Sequence, residues 1–71
     1  MRRECTVIIA RGETFYIGYC PEVPGANGQG ETLEACRQSV REAIRLTLLD
    51  RLEDGLRGVP PEAIQETVVV E

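Results

Sequence analysis

Seventy-one residues with twelve carboxylates, eight arginines, no lysine and no histidine carry a formal charge of −4 and suffice for one small domain. Hydrophobic residues at 42% and charged residues at 28% exclude a wholly disordered chain, and the acidic balance argues against direct nucleic-acid binding. A chain this short buries only about 60% of the surface its unfolded form exposes, so a disulfide, a metal or self-association is expected to supplement its core.

In chain order, Glu4 to Ala10 (ECTVIIA) is rich in β-branched residues and reads as a strand with Cys5, Val7 and Ile9 on one face. Arg11 to Thr14 supplies a turn, and Phe15 to Cys20 returns as the second strand of a hairpin. Pro21 ends it, because proline brings no N–H to a ladder. Pro21 to Thr32 (PEVPGANGQGET) is dense in turn residues, with room for a short third strand at Ala26 to Gly30, and its glycines read as tight-turn positions. Thr32 is placed to cap a helix running from Leu33 to Asp54, with Gly55 where a left-handed C-cap belongs. Leu33, Cys36, Val40, Ala43, Ile44, Thr47 and Leu48 fall in one stripe at helical spacing and should cover the sheet. Leu46 and Leu49, with Leu52 nearby, lie on the far side and are expected to form an oligomer interface.

Pro60-Pro61 forbids helix, after which Ala63 to Val70 reads as a final strand, parallel to an earlier one because a helix joins them. The order strand–strand–strand–helix–strand leaves one sheet face without a helix. Tyr16 and Ile8 are expected on that uncovered side, and Tyr16 together with Glu22, Val23, Pro24 and Gly25 is the candidate partner-contact surface.

Chemistry-bearing groups are scarce. Cys5, Cys20 and Cys36 form no C-x-x-C pair and have no histidine to activate them or to complete a zinc site, so they are expected to be reduced and largely buried. Ser39 has no obvious base, and the G-x-x-G-x-G spacing from Gly25 to Gly30 lacks the lysine of a phosphate loop. Glu4, Glu13, Glu22 and Glu31 fall at strand ends and turns rather than in one cleft, and Arg37, Arg41 and Arg45 read as a solvated helix edge paired with Glu34 and Glu42. No catalytic residue, cofactor or metal is therefore expected. Only four apolar residues, Val7 to Ala10, follow the basic N-terminus, too few for a signal peptide or a membrane span, so a cytoplasmic protein is expected.

The order T-V-I-I…F-Y-I-G-Y, then Pro21-Glu22-Val23-Pro24-Gly25, then Gln29-Gly30-Glu31-Thr32 and Glu42-Ala43-Ile44 resembles the HicB-like antitoxin domain over roughly Arg3 to Ile44. That resemblance implies a partial ribonuclease-H-like α+β fold. Its parts are a three-stranded antiparallel sheet, a parallel fourth strand and one long helix on one face. It also implies a non-enzymatic antitoxin that neutralises a small mRNA-cleaving toxin by direct binding, and assembly as a dimer or tetramer. Ala35 stands where the family often has a glutamate, so the capping box is incomplete. With the sequence ending at Glu71, no C-terminal DNA-binding domain and hence no operon repression is carried over. An orphan homo-oligomeric scaffold or regulatory subunit with an unrelated partner is the alternative, and a residual nuclease using Glu4 and Glu22 is a third.

Overall fold

The computed structural model describes residues 4–70 and places strands β1 (Ile8–Arg11), β2 (Tyr16–Tyr19) and β3 (Asn27–Gly30) before helix α1 (Leu33–Leu56). The strands form an antiparallel sheet in the order β1-β2-β3, giving an α+β fold with one long helix. Residues directly opposite across strands point to the same side, so the register resolves into rows. Ile9, Gly18 and Gly28 form one row and Arg11, Tyr16 and Gly30 another, both on the helix side. Between them, Ile8, Tyr19 and Asn27, and Ala10, Ile17 and Gln29, point the other way.

Glycines set how the helix sits. A Cβ added to Gly28 would stand 2.6 Å from the Val40 nitrogen, and one added to Gly30 would stand 2.5 Å from the Cys36 nitrogen. On β2, a Cβ at Gly18 would meet the Val40 side chain at 2.9 Å. The helix backbone therefore rests directly on the strand backbone, and Ser39 Oγ accepts the Gln29 N–H at 3.1 Å. The short third strand expected within Ala26 to Gly30 is present, and Gly28 and Gly30 are strand residues kept bare by close approach rather than tight-turn positions. Gly25 alone in this stretch is a turn glycine, with φ +95°.

Two successive turns follow β2. Cys20 C=O accepts the Val23 N–H and Val23 C=O accepts the Ala26 N–H, at 3.2 and 3.1 Å. Pro21 and Pro24 occupy the second position of each, where a fixed φ near −65° is suited, and Gly25 occupies the left-handed third position of a type II turn. Cys20, Val23 and Ala26, the corner residues at spacing three, are buried and form the core with Cys36 and Val40. Cys5, Val7, Ile9, Ala43, Ile44 and Leu48 pack around it, which bears out the expected faces of the first strand and of the helix except for exposed Leu33.

The helix begins as expected: Thr32 Oγ1 accepts the Ala35 N–H at 3.0 Å. Its end is different. Gly55 lies inside the helix, the C-cap is Arg57, and Gly58 is the glycine with positive φ, at 77°. Strands of four residues span about 13 Å whereas 24 helical residues span about 36 Å, so the second half of α1 overhangs the sheet.

The expected fourth strand is absent from a single copy. Residues 64–70 carry no strand assignment, and Ile64, Val68 and Val69 are 85%, 73% and 69% exposed. Local β-preference is strong there, but a strand exists only when a neighbouring backbone accepts its hydrogen bonds, and this segment lies off the sheet.

Two alanine substitutions separate close packing from mere flexibility. Gly28→Ala should lower unfolding free energy by about 1–3 kcal/mol, since the helix must shift, whereas Gly55→Ala, with open space around its Cβ, should raise it by about 0.5 kcal/mol. Urea unfolding monitored by helical circular dichroism measures both.

Candidate functional site

One shallow cleft brings Glu4, Cys5, Glu22 and Arg51 together, although the sequence places Glu4 and Glu22 apart, and Glu22 is engaged there by Thr6. Ser39 Oγ is taken up by the β3 backbone, and no group of three histidine, cysteine, aspartate or glutamate side chains among the described residues is arranged to hold a metal. Cys20 and Cys36 are buried and Cys5 is half-buried, all three with free thiols. Burial, aided by its hydrogen bond to Glu22, pushes the Cys20 thiol above its ordinary pKa, which makes it a poorer nucleophile.

The turn at Pro21–Gly25 does structural duty. Thr6 N–H donates to both carboxylate oxygens of Glu22, at 2.9 and 3.1 Å, and Thr6 Oγ1 donates to one of them at 2.6 Å. These hydrogen bonds explain why β1 begins at Ile8 rather than Glu4. Beyond the Ile8–Tyr19 pair, β2 has turned away, and the Glu22 side chain replaces its missing carbonyls as the acceptor. They also hold the Glu22 carboxyl at a pKa of about 2, the Thr6 side chain contributing most. On the other side of the turn, Arg51 Nη2 donates to Pro24 O at 2.8 Å and ties the helix to it. Val23 is a core residue and offers nothing to a partner, whereas Pro24 and Gly25 are exposed.

Tyr16 requires correction. It lies on the helix side of the sheet, half-buried against the core, with the Arg11 guanidinium 5.8 Å from its ring centroid. Strand parity puts Tyr19 and Ile17, not Tyr16, on the open face. There Ile8, Ala10, Ile17 and Tyr19, with Asn27 and Gln29, line a shallow groove. The sequence pattern already paired Phe15, Ile17 and Tyr19, and only the assignment of that face to solvent was missing. The open face is thus apolar on β1 and β2 and amide-lined on β3.

The second leucine stripe is where it was expected. Leu46, Leu49 and Leu52 are all exposed, and Leu56 continues the exposed apolar surface along the overhanging helix. The helix arginines are paired locally: Arg37 with Glu34 at 2.6 Å and Arg45 with Glu42 at 3.0 Å. The hydrogen bond and charge of Arg45 hold the Glu42 carboxyl below its ordinary pKa. Arg41 bonds the amide oxygen of Gln38 instead. No helix in the described residues is long and apolar enough to cross a membrane.

One long helix laid over a glycine-lined three-stranded antiparallel sheet, with an apolar face opposite the helix, defines a small α+β domain. This chain belongs to the UPF0150 family. It is 49% identical over 71 residues to UPF0150 protein ssl0738 of Synechocystis sp., covering 99% of both chains. It is 40% identical over 48 residues to a second Synechocystis member, UPF0150 protein ssr1258, covering 66% of this chain and 70% of that one. No family model matches the sequence, and no solved structure matches it.

Glu22 gives a pH signature. Its folded-state pKa lies below the ordinary 4.5, so its contribution is complete above pH 4.5 and is lost as pH falls toward 2. The acid limb of the stability curve should therefore flatten between those values in Glu22→Gln, as followed by thermal unfolding at stepped pH.

Proposed function

We propose that this protein is a non-enzymatic, antitoxin-like binding module of the HicB type that neutralises a small, basic, mRNA-cleaving toxin by covering it. The observation that carries this reading is the uncovered sheet face. Ile8, Ile17 and Tyr19 stand exposed together on a rigid sheet whose other side is occupied by the helix. Apolar and aromatic side chains grouped on a preorganised surface, with amides at the margin, are the usual anchors of a protein interface. A net charge of −4 favours a basic partner and speeds its approach. The protein acts in the cytoplasm, where reduced cysteines are stable. The resemblance from Arg3 to Ile44 supports the choice of partner class.

In this reading Ala63–Val70 completes the sheet as a parallel fourth strand, giving the partial ribonuclease-H-like arrangement, and the molecule is a homo-oligomer. The exposed leucines of α1 also favour the second reading, an oligomeric scaffold or regulatory subunit with an unrelated partner, since self-association serves either role. The two separate on the partner.

The test is co-purification from the native organism, together with the product of the adjacent reading frame. A stoichiometric complex with a small basic ribonuclease that is inactive while bound supports the proposal, and a neighbour without ribonuclease activity favours the scaffold. Ile17→Asp should keep the fold, because the side chain is exposed, yet weaken the complex at least about tenfold, or 1.4 kcal/mol, by calorimetry. Replacing both Leu46 and Leu49 with glutamate should shift the particle toward monomer in sedimentation while leaving helical content intact.

A further inference from the structure

Cys5, Val7, Ile44 and Leu48 line a groove between the segment leading into β1 and the helix, with Arg37, Arg41 and Arg45 along it. β1 is an edge strand, and α1 lies over β3 and β2 while only grazing β1, so the groove is open. At the other edge, Ser39 takes the Gln29 N–H. In the same chain the β-branched segment from Ile64 onward is exposed, and its carboxylates, Glu62 and Glu66, are opposite in sign to the arginine row.

We infer that the groove receives the C-terminal segment of a second copy, and that two chains exchange these segments reciprocally to form a two-fold dimer. Laid parallel to β1, the incoming segment sets Ile64 beside Cys5 and Leu48. Glu66 then falls two residues further along the same face, level with Val7 and within reach of Arg41 and Arg45. Arg41 has an amide rather than a carboxylate as its hydrogen-bond partner and is the cation best able to take Glu66. Exchange is favoured over folding back within one chain by the overhanging helix. A segment returning to its own groove would leave Leu49, Leu52 and Leu56 bare on the turns beyond the sheet. A second copy arriving alongside covers them. A single copy has a radius of gyration of 15.8 Å, against about 11 Å for a compact domain of this length, as expected of half an exchanged pair.

The inference rests on the fourth-strand reading and is independent of the toxin. Ile64→Cys in the full chain, with native Cys5 as its partner, tests it by mild oxidation at low micromolar concentration. Non-reducing electrophoresis and peptide mapping give the readout. A covalent dimer linked between position 64 of one chain and Cys5 of the other is expected. The same link within one chain overturns the exchange but keeps the fourth strand. Failure of any link to Cys5, or a dimer joined only through the two introduced thiols, overturns both. Arg41→Glu in this background should lower the yield of linked dimer about twofold to fivefold, as an exposed ion pair is worth, and Glu66→Arg should restore it. An unchanged yield would remove the arginine row from the inference.

Discussion

Everything in this molecule depends on the helix backbone being allowed to touch the sheet backbone. Gly18, Gly28 and Gly30 supply the clearance, and Val40 and Cys36 occupy it, each with no exposed surface. A glycine in a strand costs roughly 0.5–1 kcal/mol in chain entropy, while full burial of an aliphatic side chain returns about 1.5–3 kcal/mol. The exchange is favourable only because the helix comes close enough to exclude water from Val40. The sequence of β3, Asn-Gly-Gln-Gly, has poor intrinsic β-preference. It is a strand because β2 pairs with it on one side and Ser39 holds it on the other.

Much of this was legible from residue order. The alternation of Cys5, Val7 and Ile9 named the inner face of the first strand, and Thr32 named the start of the helix, because both signals are local. The errors share one physical origin. Glycine announces a missing side chain but not whether φ or a neighbour requires it, so the sequence allows Gly28 and Gly30 as turn or strand and points to Gly55 for the left-handed position that Gly58 takes after the Arg57 cap. Tyr16 was set on the wrong face because strand parity does not say which side the helix will choose. The Glu22–Thr6 hydrogen bonds join residues sixteen apart, and no spacing rule reaches that far. The final segment reads as a strand by composition, but pairing is a property of two backbones and sequence describes one.

The division of surface follows from the same arrangement. Five buried residues hold one side of the sheet to half of a helix. The double turn after β2 connects the parts: Val23 enters the core, Glu22 holds the N-terminal segment, and the Pro24 carbonyl receives Arg51 from the helix. Further apolar side chains lie outward on the sheet face, on the overhanging helix and along residues 64–70.

Ser39 has one more effect. A flat sheet with two bare margins is a template that can be extended without limit, and chains that add to each other's margins risk growing into fibrils. The Ser39 hydroxyl, from the helix above, takes up the Gln29 N–H and so blunts part of the β3 margin.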